Sequence, residues 1–588
     1  MDPEVSRSRA ELEASRVKAW SSTRSLVLLA AMTLLCLLPF SGKAFHIDDP
    51  LFLWSAQHIL RHPLDPYGFQ VNWYGWQMSM SEVTKNPPLA CYFAAAVGAL
   101  AGWSERALHL GFLLPALLMV LGTYRLAQHF TQSPLIAAAA ALLTPGVLVS
   151  ACSVMCDTVM LALWIWATIF WLEGLESGKR HLLLLSGLLI GAAALTKYFG
   201  VCLVPLLFAY SIARQRRLGV WAWYLALPLA LLAGYQFWTQ ALYQHGMFSD
   251  ALTYAPQRVS GFRYSILFYP LVAASFVGGC TLSALTLAPL VWSRKYVLIA
   301  ILLEGVSLAA GWILLGPTLR ATHTGMALQL HWEIGLQLAL FIASGGSVLA
   351  LAAVDFWKHR NADSLLLALW VLGTFVFTAF LNWTINARSV LPLIPAAGIL
   401  LARRLDTLGI ALVKPLQWKV AAALLVSGIV SFCVAQADAD WANSARQTAV
   451  AIKQRTKDEA GTVWFQGHWG FQYYMQQMGI APFDYDTTAF TSGDLLVIPR
   501  GDLAAQPPPA RFVASDEALK TRLRQPVVTM NTGMEAGFYA AVYGSLPFTF
   551  GAVPMDQYSL VRIAAPVKTH CSTNPRDPTL RSCSWVSN

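Results

Sequence analysis

Ser25 to Pro50 reads SLVLLAAMTLLCLLPFSGKAFHIDDP. An apolar run ends at Phe40, and a few residues later Asp48 and Asp49 stand side by side before a proline. The run is long enough to approach the usual span of a bilayer. The polar lead before it holds Arg7, Arg9, Arg16, Lys18 and Arg24, and such clusters stay on the cytoplasmic side. Lys43-Ala44 is a poor cleavage site, so the run reads as a retained first helix over about 25–40 rather than a signal peptide. Asp48 and Asp49 therefore emerge on the outer face.

Working outward, the chain has 588 residues, of which 56% are hydrophobic and 12% charged, with mean hydropathy +0.51. A soluble domain carries about twice that charge fraction. Apolar runs recur to about Ala435 and then stop. The expected organisation is a cytoplasmic segment 1–24, a membrane module 25–436 with an outer loop 41–106, and an extracytoplasmic domain 437–588. The net charge of +10 does not point to nucleic acid, because the Lys and Arg lie in short clusters between apolar runs. The 22 Trp suit interfacial belts before a sugar-binding surface. No CxxC metal spacing occurs, and in an oxidising compartment Cys571 and Cys583 can pair.

The charge clusters order the helices. Beyond the first, spans are expected at 107–127, 134–151, 157–174, 182–197, 200–212, 219–240, 266–291, 297–316, 333–353, 364–381, 389–402 and 419–436, about thirteen in all. Pro88–Trp103 is apolar but short, and a spanning role would put every later cluster on the wrong side. It reads as an interfacial or re-entrant helix. In the tail, Thr462–Gln466 and Asp494–Pro499 read as strands and Trp469–Met478 as a helix, an α/β pattern.

Few residues in this apolar chain can carry chemistry. Asp49 can cap a helix that opens on Pro50. A cap needs one acid, which leaves its neighbour for deprotonating a hydroxyl or for sharing a divalent ion. Lys85-Asn86-Pro87-Pro88 fixes a cation at the outer interface, suited to a lipid phosphate or to snorkelling. Asp157 heads a helix on the outer side, as a helix-terminal acid or a second carboxylate. Lys197-Tyr198 and Arg388 fall at outer helix ends, where ionisable groups are functional candidates. The loop 241–265 adds His245, Arg258 and Arg263. Cations at an interface can stabilise charge developing on a leaving phosphate.

Asp48-Asp49, Lys85-Asn86-Pro87-Pro88-Leu89, Asp157-Thr158, Leu195-Thr196-Lys197 and Arg388 before Leu391-Pro392 occur in an order and on a face that resemble the GT-C glycosyltransferases. The likeness is to the branch with the protein O-mannosyltransferases and the aminoarabinose transferase of lipid A, and it covers the chain to about residue 400. The resemblance implies inverting transfer of a sugar from a polyprenyl-phosphate donor to a glycan, lipid or protein acceptor, among membrane lipids. It implies Asp48 as the base and Lys85 and Lys197 on the donor phosphate; by their placement on the same face, Asp49 and Asp157 are further candidate catalytic acids and Arg388 a further candidate cation for that phosphate. Asn86, Tyr198, His245 and Arg258 are candidate substrate contacts. The implied setting is a bacterial inner membrane with the site facing the periplasm. The family carries Asp-Glu where this chain has Asp48-Asp49. A flippase of lipid-linked glycans is the main alternative. It would place ionisable groups at mid-membrane and show paired halves, and no internal repeat is visible. A phosphoethanolamine or acyl transferase would want a metal cluster or hydroxyl nucleophile in the tail. A polymerase or ligase using a diphosphate-linked glycan stays open.

Overall fold

The computed structural model describes residues 23–255, 268–296, 298, 332–410, 414–503, 505–574 and 577–587. Arg258, Arg263 and the helix expected at 297–316 lie outside the described residues.

Among the described residues, seven helices are long and apolar enough to cross a membrane, or nine if each of two bent pairs counts as one span. The chain is a polytopic membrane protein. The lipid-facing side is visible on the helix Glu105–Ala127, where Leu110, Leu114 and Leu118 are exposed at one-turn spacing while Leu108, Phe112 and Ala116 are buried. Exposed Trp332 and Trp357 mark the two ends of the helix Trp332–His359, as an interfacial belt requires.

The count rests on the described residues alone, and several of the expected spans differ in form from a straight apolar helix. The span expected at 134–151 is two helices, Pro134–Leu142 and Pro145–Ala151, bent by 64°. Pro145 has no amide hydrogen to continue the first helix, and it suits the first turn of the second. The span expected at 266–291 is likewise broken, by 83°, between Tyr269–Cys280 and Leu282–Val291. Arg180–Thr196 and Leu89–Ala101 are shorter apolar helices. At about 1.5 Å per residue, the 13 residues of Leu89–Ala101 reach ~20 Å, short of a ~30 Å hydrocarbon core. That helix packs on the helices Asp49–Ile59 and Glu105–Ala127 and ends at Gly102, whose φ of +90° suits glycine.

Close helix approach is built from small residues. A Cβ on Gly278 would lie 1.9 Å from the Phe341 carbonyl oxygen, and one on Gly345 would lie 2.0 Å from that of Ala274. The two glycines let Tyr269–Cys280 and Trp332–His359 touch backbone to backbone.

The last helix departs most from expectation. It runs from Lys414 to Arg455, 42 residues, rather than over 419–436. At 1.5 Å per residue that is ~63 Å, about twice the hydrocarbon core. The boundary expected at 436/437 thus falls inside one continuous helix, which carries the tail directly.

The tail holds a five-stranded mixed sheet in the order Ala481–Pro482, Val463–Phe465, Leu495–Pro499, Asp556–Ile563, Val513–Thr521. The first three strands are parallel and the last two pairings antiparallel. The helix Trp469–Gln477 links the parallel strands Val463–Phe465 and Ala481–Pro482. A smaller sheet pairs Val567–Asn574 with Asp577–Ser587, placing Cys571 opposite Cys583, and these two form a disulfide.

Membrane module and tail are tied by a buried ion pair. Lys43 Nζ donates to Asp438 Oδ2 at 2.6 Å, with 1% and 0% of the two side chains exposed. Burial alone would lower the Lys43 pKa, but the Asp438 carboxylate more than offsets it and the pKa rises. Asp438 also accepts from Thr529 Oγ1 at 3.0 Å and Tyr539 Oη at 2.8 Å. Three parts of the chain thus meet on one carboxylate.

Removing one partner of a buried pair strands the other charge, at a cost of ~3–5 kcal/mol. Lys43→Met is expected to lower the thermal midpoint in detergent sharply, with Lys43→Met/Asp438→Leu recovering part of the loss. An unchanged midpoint in the single variant would show that the pair does not hold the two parts together.

Candidate active site

The turn that presents the acidic pair is fixed residue by residue. Lys43 is held by Asp438. The Ala44 amide donates to Asn443 Oδ1 at 3.0 Å, and the Phe45 amide to Tyr474 Oη at 2.8 Å. Tyr474 in turn donates to Glu105 Oε1 at 3.0 Å, which also pairs with Arg446. Gly470 lies so close that a Cβ there would be 2.1 Å from the Phe45 carbonyl oxygen. His46 is buried edge-on to Trp441, 4.4 Å between centroids, and burial holds its imidazole down to about 3. Ile47 follows with φ +49°. A β-branched residue in that region is strained and persists only where its surroundings enforce it.

Asp49 supplies much of that enforcement. It is fully buried. Its Oδ2 accepts from the His46 amide at 2.8 Å and its Oδ1 from the Val154 amide at 2.9 Å. Burial pushes its carboxyl up to about 7, partly offset by Lys43 and by the two amides, which favour the ionised form. The expectation that Asp49 caps a helix starting at Pro50 shifts by one residue. The helix is Asp49–Ile59 with Asp48 at the N-cap position, and Asp48 makes no capping bond.

Asp48 faces elsewhere. Arg388 Nη1 donates to Asp48 Oδ2 at 2.9 Å and contacts Met155 Sδ at 3.0 Å. Burial would lower the Arg388 pKa, but the Asp48 and Asp157 carboxylates hold it above the usual range. Arg388, expected on a donor phosphate, is thus engaged with Asp48. The tail helps to place it: the Ala387 amide donates to the Phe538 carbonyl and the Ala541 amide to that of Ile385, each at 2.8 Å. The Tyr539 ring lies 5.8 Å from the guanidinium. Beside this pair, Lys197 Nζ bonds Asp157 Oδ1 at 2.5 Å. Asp157 is 2% exposed and Lys197 24%, against 27% for Asp48 and 15% for Arg388. Asp48 and Lys197 are therefore the groups an incoming molecule reaches most readily.

The remaining candidates gather on the short helix Met247–Tyr254. Its Phe248 packs on Tyr198 at 5.4 Å and its Tyr254 ring lies 5.6 Å from Lys85 Nζ. Asp250 Oδ2 bonds His245 Nδ1 at 2.5 Å, and His245 Nε2 is 3.2 Å from Ser81 Oγ. Lys85 Nζ also donates to the Glu82 carbonyl at 2.6 Å. The Asn86 carbonyl accepts from Tyr67 Oη at 2.9 Å, so its backbone rather than its carboxamide is what the structure uses. One eight-residue helix thus joins the Lys85 and Lys197-Tyr198 segments.

Asp48 and Asp49 turn to different protein partners. No group of three or more His, Cys, Asp or Glu able to hold a metal occurs among the described residues. Lys43 and Asp438 escaped the sequence reading. The available signal was an ionisable residue beside or within an apolar helix, which needs a partner.

Residues 85–238 match the family model described as dolichyl-phosphate-mannose-protein mannosyltransferase. The match covers a minority of the chain, but includes Lys85, Asn86, Asp157, Lys197 and Tyr198. The resemblance read from short motifs and this family match agree. No curated protein matches the chain. Among solved structures, ArnT from Cupriavidus metallidurans bound to undecaprenyl phosphate aligns over 81% of this chain and 93% of its own, at 14% identity and TM-score 0.48. An oligosaccharyltransferase from Archaeoglobus fulgidus aligns over 79% and 64%, at 13% identity and TM-score 0.48. A protein O-mannosyltransferase complex of S. cerevisiae aligns over 38% and 34%, at 16% identity and TM-score 0.30.

Asp49→Ala leaves two buried amides without an acceptor, at ~1–3 kcal/mol each. It is expected to lower the thermal midpoint, and Asp48→Asn, which keeps an oxygen for the partly exposed Arg388, to lower it less. Equal midpoints for the two variants would contradict the division of labour between these neighbours.

Proposed function

We propose that the chain is a membrane glycosyltransferase that moves a sugar from a polyprenyl-phosphate donor to an acceptor hydroxyl on the outer face, with inversion. The observation that carries this is the gathering of Asp48, Arg388, Asp157 and Lys197, from four separate helices and helix ends, into adjoining ion pairs. The family model over 85–238 is named for a lipid-phosphate sugar donor, which supports the same reading.

In this reading Asp48 takes the proton from the acceptor hydroxyl as the oxygen attacks the anomeric carbon. The bond from that carbon to the phosphate oxygen breaks, and the lipid phosphate leaves with the electron pair. Direct displacement inverts the anomeric centre. Arg388 orients the Asp48 carboxylate, and Asp157 orients the Lys197 ammonium. Lys197 and Lys85 stabilise the negative charge that grows on the leaving phosphate. Asp49 acts through Asp48, by holding the strained turn. The tail contributes by fixing the turn and Arg388 from above, on the periplasmic side of a bacterial inner membrane.

A flippase reading would need the ionisable groups in a mid-membrane path. Here the exposed members of the cluster belong to helix ends and loops: Asp48 precedes the helix Asp49–Ile59, and Lys197 follows the helix Arg180–Thr196.

General-base removal costs on the order of 10²–10⁴ in rate. In a reconstituted assay with a polyprenyl-phosphate sugar, Asp48→Asn is expected to fall by at least that lower factor while the protein remains monodisperse. Full activity would remove Asp48 as the base. Lys85→Ala is expected to raise the apparent KM for the donor more than it lowers kcat, and an unchanged KM would count against a phosphate contact there.

A further inference from the structure

A cleft of about 700 Å³ opens toward the C-terminal end of the helix Asp49–Ile59, away from the acidic turn and between the loop 41–106 and the tail. It lies apart from the Asp48 pairs: neither Asp48, Arg388, Asp157 nor Lys197 lines it. Its volume falls in the range of small-molecule sites, but its walls are unusually polar for one. We propose that this cleft is a saccharide-binding subsite that holds an anionic sugar unit of the acceptor.

Three features of the walls carry the assignment. Trp54 and Trp103 both line the cleft, giving flat apolar faces for sugar rings. Trp54 is held in place by Trp73, edge-on at 6.1 Å, so its face is preorganised. Between the aromatics stand the carboxamides of Gln57, Gln70, Gln77 and Gln476. A carboxamide both donates and accepts, which matches sugar hydroxyls. Positive charge comes from Arg61, and the stacked rings of His58 and His62, 4.7 Å between centroids, line the same cleft. A guanidinium forks onto a phosphate or carboxylate in two bonds. Amides and cations on the walls disfavour a lipid chain.

The geometry also links the cleft to the reaction, and this part rests on the transferase reading of Asp48. The helix Asp49–Ile59 starts at the candidate base and carries Trp54 and Gln57 into the cleft. Eight residues separate Asp49 from Gln57, about 12 Å along the axis at 1.5 Å per residue. An acceptor that fills the cleft and offers a hydroxyl to Asp48 therefore has an extended polar head of more than one sugar. Gln476 and Pro482 close the cleft from the tail, which gives the tail a part in acceptor choice beyond bracing the turn.

The test is tryptophan fluorescence of the full chain in nanodiscs, titrated with a 6-phosphorylated mannopentaose and with neutral mannopentaose. The phosphorylated probe is expected to quench the protein, with the neutral probe about tenfold weaker or more. Arg61→Ala should weaken the phosphorylated probe by about tenfold and leave the neutral one little changed. Trp54→Leu should weaken both. Asp48→Asn should bind both as the unaltered chain does, so inactivity or activity of that variant bears on the base alone. Absence of binding, or equal affinity with and without Arg61 and Trp54, would overturn the subsite. Phosphatidylglycerol vesicles that displace the probe in an Arg61-dependent way would overturn it in favour of a lipid headgroup.

Discussion

The buried contact between Lys43 and Asp438 is the constraint on which the acidic turn and the docking of the tail depend. A lysine and an aspartate with almost no solvent exposure must find each other, because either alone would be very costly in that setting. Their meeting locks the end of the first membrane helix to a long helix that leaves the membrane and carries the tail. Thr529 and Tyr539 complete the aspartate's shell, so the tail cannot shift without breaking the same centre. Whether such a pair adds net stability over apolar residues is a separate matter. Here it sets register between distant segments.

Register matters because the acidic turn follows within a few residues. Amides of Ala44, Phe45 and His46 each have a dedicated side-chain acceptor. These hold Ile47 at a φ that a β-branched residue does not choose for itself. The result is a division between two adjacent carboxylates. One faces inward and spends both oxygens on backbone amides. The other is partly exposed, paired with an arginine that the tail also positions. Strain and rigidity at this point fit a site that must present one oxygen in one direction.

The cations show the same economy of placement. Lys197 is exposed enough to meet a ligand, yet anchored by a carboxylate that is not. Lys85 lies on another segment, and the short helix Met247–Tyr254 connects it to Tyr198. Residues that the chain separates by more than a hundred positions are thus set around one region, with the cleft lined by Trp54 and Trp103 one helix length away.

Much of this was legible in the sequence. Long apolar runs require a bilayer, and clusters of Lys and Arg give an expected side for Asp48, Lys85, Asp157, Lys197 and Arg388. The strands at Val463–Phe465 and Leu495–Pro499 and the helix at Trp469–Gln477 followed from local pattern. Periodicity is blind to what bends a span, so the breaks near Pro145 and Thr281 and the continuation of the last helix to Arg455 came only with the fold. Composition is equally blind to partners. It could offer Asp49 as a helix cap and Asp48 as a base, but not the groups that hold either one. Only tertiary structure turned Asp49 to two amides, set Arg388 beside Asp48, and joined Lys43 to Asp438, because a side chain's partners depend on which distant groups reach it once water is excluded.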